Sequence, residues 1–128
     1  MRILLDTHIA LWALMGDRRL GAEACGLIDD PANAIFVSAA SVWEIAIKHA
    51  LQRSHIPFGA AAALGYFSQA GYQFLDVRTE HAAMVEDLPK LHGDPFDRML
   101  VAQALAEPLH LMTHDHMLAR YSKTAMLV

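Results

Sequence analysis

Five short apolar runs set the frame for everything else in this chain: RILL (2–5), AIFV (34–37), YQFLDV (72–77), LHLMT (109–113) and AMLV (125–128). Each is strand-sized, and most are rich in branched or aromatic side chains. Between them lie stretches of helical period, THIALWALMG, GAEACGLIDD, SAASVWEIAIKHALQR, FGAAAALGYFSQAG, TEHAAMVEDL, DPFDRMLVAQALAE and HDHMLARY. Strands alternating with helices predict a central parallel β-sheet flanked by helices on both faces, a three-layer α/β fold. No repeat, linker or low-complexity segment interrupts the pattern, so residues 1–128 read as a single domain. In open α/β sheets, functional groups collect just beyond the carboxyl ends of the strands. Acids at those points therefore carry the functional question.

Hydrophobic residues make up 55% of the chain and charged residues 19%, which excludes a disordered protein. One uncharged run, SHIPFGAAAALGYFSQAGYQFL (54–75), is long enough to span a bilayer, but it carries Pro57, three glycines, two glutamines and two serines. A short buried helix, a stop at Gly71 and a strand account for it better, and no membrane association is expected. Asp6 breaks the first apolar stretch too early for a secretory signal. The single cysteine, Cys25, suits a reducing compartment, and the expected location is cytoplasmic. The net charge of −4 speaks against strong general affinity for nucleic acid. It does not speak against a nuclease, because divalent cations in an acidic site would offset part of that charge.

Four acids fall at strand exits or helix starts. Asp6 follows RILL directly and also fits an N-cap. Glu44 sits in SVWE, which reads equally as a capping box with Ser41 as the cap, and Lys48 four residues on is placed to pair with it. In HGDPFDRMLVAQA, Asp94 caps a helix whose first residue is Pro95. Asp97 differs: at about 100° per residue it points into the arc of Leu100, Val101, Ala104 and Leu105, with Gln103 and Glu107 on the wet side. A carboxylate there must accept hydrogen bonds or coordinate a cation. Asp115 follows LHLMT and opens the last helix. Its neighbours His114 and His116 diverge too far to share a metal, and most of the eight histidines are expected at the surface or in loops. A carboxylate set without Cys suits Mg²⁺ or Mn²⁺. Such sets often hold two ions about 3.5–4 Å apart, one activating water and one stabilising the leaving oxygen of a phosphodiester.

LLDTHIALW, SVWEIAIK, DPFDRMLVAQA and LMTHDHMLARY together resemble, in order and spacing, the motifs of PIN-domain nucleases, in particular VapC-type toxins of bacterial toxin–antitoxin pairs. The resemblance runs from the first strand to the last and implies a Rossmann-like, PIN-type fold. It implies that Asp6, Glu44 and Asp97 are the core metal ligands, with Asp115 a fourth and more variable acid. Thr113 matches a supporting hydroxyl position, Thr7 is a further supporting residue, and Asp94 belongs to a DPFDR variant without being a primary ligand. The implied activity is metal-dependent endoribonuclease cleavage of RNA, with one or two Mg²⁺ or Mn²⁺ ions. The implied partners are a VapB-like or other cognate antitoxin and a second copy of the chain in a homodimer. The stretch 58–71 or the tryptophans are candidates for hydrophobic contact area. The basic residues Arg18, Arg19, Lys48, Arg53, Lys90 and Arg98 are scattered, with Lys48 and Arg98 nearest the acids and hence candidate RNA contacts.

Competing folds of this size fit less well. A receiver domain needs an acidic pair after the first strand, where LLDTH has one acid. A haloacid-dehalogenase-like phosphatase needs a second acid where His8 stands. A Rossmann nucleotide binder needs a glycine-rich first turn, which is absent. The alternative outside enzymology is an α/β interaction module whose acids are only helix caps.

Overall fold

The computed structural model describes residues 1–52, 55–91 and 93–128; Arg53, among the basic residues singled out above, lies outside them. Five strands, β1 (Arg2–Leu5), β2 (Ala34–Ser38), β3 (Gln73–Leu75), β4 (His110–Thr113) and β5 (Met126–Leu127), form one sheet in the order β3-β2-β1-β4-β5. Every pairing is parallel, with Ile3 opposite Ile35 on one side and His110 on the other. Among the described residues seven helices connect them: α1 (Thr7–Met15), α2 (Ala22–Asp29), α3 (Ala39–Ala50), α4 (Ala60–Gln69), α5 (Thr79–Met84), α6 (Pro95–Ala106) and α7 (His116–Ala119), with a 3₁₀ turn at Val85–Asp87.

Alternation along the central strands divides the core in two. Ile3, Leu5, Ile35, Val37 and Met112 project to one face and pack with Ile9, Ala24, Ile45 and Phe67. Leu4, Phe36 and Leu111 project to the other and pack with Leu100, Val101, Ala104 and Leu118. A sheet buried on both faces needs strands that are apolar throughout, which the runs RILL and AIFV supply. No helix among the described residues is long and apolar enough to cross a membrane. The stretch 54–75 instead contains α4, which buries only Ala63 and Phe67, then Gly71 at φ 85°, then β3.

Three local expectations need correction. Helix α3 is capped by Ser38, whose hydroxyl accepts from Ala40 N, and not by Ser41, which lies inside the helix. The chain passes from β2 into α3 without a loop, so the last strand residue doubles as the cap. Gln103 is on no wet side: it is fully buried, accepting from Ser38 Oγ at 2.6 Å and donating to Asp76 O at 3.2 Å. Leu105, assigned to the apolar arc, is exposed. Helix α6 is enclosed from Leu100 to Ala104 because the sheet covers one side while α5 and the 3₁₀ turn pack on it as well. A buried amide is tolerated there because both its ends are satisfied.

His81 is the exception among the described histidines. It is fully buried in α5, with Nδ1 accepting from Arg78 N at 3.0 Å and Nε2 2.6 Å from Glu107 Oε1. A ring nitrogen that accepts from a backbone amide leaves the neutral ring's proton on the other nitrogen, so Nε2–H donates to Glu107.

Candidate active site

Strand order places β1 at the centre, with the chain running outward to β2 and β3 on one side and later filling β4 and β5 on the other. The carboxyl ends of β1 and β4 are therefore the switch point of the sheet, where α/β folds open a crevice for ligands. Asp6 leaves β1 at that point and Thr113 ends β4.

Asp6 is the N-cap of α1. Its Oδ1 accepts from Ile9 N at 2.9 Å, and its Oδ2 accepts from Thr113 Oγ1 at 2.5 Å. The side chain is buried, and burial, the largest influence, raises its pKa above the ordinary carboxylate value; the Thr113 and Ile9 hydrogen bonds oppose this, and the nearby Glu44 charge adds to it. Thr113 Oγ1 in turn accepts from Asp115 N at 3.0 Å. One hydroxyl thus ties the end of β1 to the loop carrying Asp115.

Glu44 is buried on α3. Its Oε1 lies 2.7 Å from Thr7 Oγ1, and Lys48 Nζ pairs with its Oε2 at 2.5 Å. Thr7 Oγ1 also lies 2.9 Å from Ser41 Oγ, and its single proton goes to one acceptor at a time, the carboxylate being the stronger. Ser41 is a site neighbour that sequence reasoning assigned to a cap. The i, i+3 spacing that suggested a capping box equally puts Ser41 and Glu44 on one helix face, toward Thr7.

Asp97 is half-buried in the first turn of α6. Asp94 caps that turn as expected, accepting from Phe96 N and Asp97 N. Phe96 meets Trp43 edge-on with ring centroids 5.1 Å apart, which sets the residues preceding Asp97 and Glu44 side by side. Asp115, also half-buried, caps α7 through Met117 N. Three of the four acids thus follow a strand or open a helix, while Glu44 lies inside α3. The structure joins Asp6 electrostatically to Glu44 and, through Thr113, to the Asp115 loop. Among the described residues, no three Asp, Glu, His or Cys side chains stand together closely enough to hold an ion between them.

Beside Glu44 opens a cavity of about 290 Å³ lined by Thr7, His8, Leu11, Trp12, Lys48 and Ile56, among others. Arg19 lies over the Trp12 ring at 4.7 Å from its centroid and is held by Asp17, whose pKa the guanidinium lowers to about 2. Arg98 is engaged within the chain. Its guanidinium donates to the carbonyls of Val85, Leu88 and Pro89 and to Tyr121 Oη, fastening the segment before α6.

The PIN domain profile matches residues 3–124, nearly the whole chain. The chain belongs to the PIN domain family. A solved structure with the same fold is VapBC2 from Rickettsia felis bound to a DNA fragment from its promoter. It aligns with a TM-score of 0.71 at 18% identity over 100% of this chain and 98% of that one. No curated protein sequence matches the chain. The PIN domain assignment agrees with the all-parallel sheet.

Proposed function

We propose that this PIN domain is a VapC-type endoribonuclease that hydrolyses RNA with Mg²⁺ or Mn²⁺ and is held inactive by a VapB-like antitoxin. The observation that carries the reading is the pair of buried carboxylates, Asp6 and Glu44, at the switch point, each oriented by a threonine hydroxyl. An interaction module that used its acids only as caps would have no reason to bury Glu44, which caps nothing. The family match and the structural likeness to a VapBC complex support the same reading.

The donor set fits a hard divalent cation. It offers carboxylate and hydroxyl oxygens, and burial with a neighbouring negative charge raises the Asp6 pKa, so added positive charge is favourable there. Asp6 and Glu44 would hold the ion, one or two in number; Asp97 and Asp115, which do not stand with them as a ready-made set of three, would have to close in to become further ligands. When bound, the ion would supply Lewis acidity toward a phosphate and lower the pKa of water held there. Thr113 keeps Asp6 in its rotamer and Thr7 keeps Glu44 in its own, so neither carboxylate has to reorganise during the reaction. Lys48 stands beside Glu44 as a counter-charge for RNA phosphate, and Asp94 supports Asp97 by closing its helix turn.

An antitoxin segment presenting Arg or Lys to the acids would silence the site by occupying it with the wrong cation. A homodimer is part of the reading, with the exposed side chains of Leu64 and Tyr66 on α4 and Trp43 on α3 as apolar surface, while Trp12 belongs to the core. The cytoplasm is the compartment in which such a chain would meet RNA.

The test is cleavage of RNA by the purified chain without any partner, in Mn²⁺, in EDTA, and with Asp6→Ala. Cleavage that needs Mn²⁺ and disappears with Asp6→Ala supports the reading. Cleavage surviving both treatments overturns it.

A further inference from the structure

Glu44 has two oxygens and both are engaged, one facing inward to Thr7 and one meeting Lys48. The inner contact is sealed: Thr7 and Ser41 are buried, as is Glu44 itself. The outer contact is the only one of these made by a solvent-accessible group, since the Lys48 side chain keeps 38% of its surface exposed while that of Glu44 keeps 4%. An i, i+4 Glu–Lys pair on a helix surface is ordinary and weak. Here the acid is nearly buried at the edge of the cavity, so the ammonium faces a carboxylate that little water solvates.

We infer that Lys48 is a built-in competitor for the divalent cation: its ammonium neutralises Glu44 in the metal-free protein and must leave Oε2 before an ion binds there. This rests on the metal-dependent reading above. Two cations cannot share one carboxylate oxygen at close contact without strong mutual repulsion. Lys48 also lines the cavity of about 290 Å³ beside Glu44, so the ammonium has room to swing away without unpacking the core. The lysine therefore raises the ion concentration at which the site fills, and keeps a buried carboxylate from standing uncompensated until then.

The experiment measures Mn²⁺ binding at pH 8 by the free-ion paramagnetic resonance signal, in the wild type, Lys48→Met and Lys48→Arg, with Lys48→Gln as a second neutral variant. Thermal unfolding in EDTA and in Mn²⁺ accompanies it. Removing the competitor should lower the Mn²⁺ midpoint about fivefold in both neutral variants, while Lys48→Arg stays near the wild type. Lys48→Met should also unfold at lower temperature in EDTA yet gain more on Mn²⁺ addition. Equal or higher midpoints in both neutral variants overturn the competition and leave the nuclease reading standing. Absence of Mn²⁺ binding by every protein at millimolar ion overturns both.

Discussion

The hydroxyl of Thr113 and the carboxylate of Asp6, 107 residues apart in sequence, meet at 2.5 Å and lock the ends of two neighbouring parallel strands together. The same hydroxyl accepts from Asp115 N, so it is oriented from one side and orients the other. This makes Thr113 a positioning residue for the proposed ion site. Thr113→Val keeps the shape and removes the donor. Loss of such a supporting bond lowers metal affinity or activity by roughly 10–100-fold. Thr113→Ser should restore most of it. Mn²⁺ titration of the two variants checks this, and a Thr113→Val protein that binds Mn²⁺ as the wild type does would refute it.

Burial sets a second expectation, for pH. In the unfolded chain Asp6 titrates near its ordinary 3.8; in the fold its pKa is raised, chiefly by burial. An acid raised on folding binds its proton more tightly in the native state, so stability falls as pH climbs from the ordinary value through the raised one. Above that window the ionised group is a constant burden. Asp6→Asn, which can still cap α1, should therefore unfold at higher temperature than the wild type at pH 7 in EDTA. The difference should vanish as pH drops below the ordinary carboxylate value. Mn²⁺ should no longer raise the melting temperature of the variant. A less stable Asp6→Asn protein at pH 7 would contradict the sign.

Gln103 offers a test of the core. Replacing it with Leu keeps the volume but leaves the Ser38 hydroxyl proton without its acceptor, though Ala40 N still donates to that oxygen, and removes the amide donor from Asp76 O. Leaving buried polar groups unsatisfied costs about 1–3 kcal/mol. Adding Ser38→Ala to Gln103→Leu should cost less than the sum of the two single changes, because the orphaned hydroxyl is gone. Denaturant unfolding of the three variants measures the coupling; strict additivity would show the contact to be idle.

His81 tests the second polar contact in the interior. His81→Phe removes the acceptor for Arg78 N and the donor to Glu107 together. The expected loss is about 1–3 kcal/mol. Glu107→Gln, whose amide oxygen can still accept from Nε2–H, should cost much less. Chemical denaturation distinguishes them, with equal losses counting against a tautomer that places the proton on Nε2.

The strands and their parallel arrangement were legible because a sheet covered on both faces leaves apolar runs that nothing else explains. The caps Asp94 and Asp115 were legible because they act on their own turn. What the sequence hid were groups satisfied from far away. Gln103 looks like a surface residue until Ser38 and Asp76 arrive from the ends of other strands. His81 looks like a loop histidine until Glu107 closes over it. At the site, strand exits pointed to Asp6 and Asp115 and the matching motifs to Glu44. The role of Ser41 was masked because one spacing serves both a capping box and a shared face. For Arg98 the sequence shows the charge but not the carbonyls of Val85, Leu88 and Pro89 to which it donates.

The bond between residues 6 and 113 also governs when the site can exist during synthesis. A ribosome-bound chain that has emerged only through α6 has β1 paired on one side with β2, but lacks β4 on the other. Asp6 then has no Thr113, and the crevice at the switch point has only one wall. The proposed RNA-cutting centre, split this way, is incomplete until β4 has been made and has paired with β1. The second wall arrives only with β4, which brings Thr113 to Asp6.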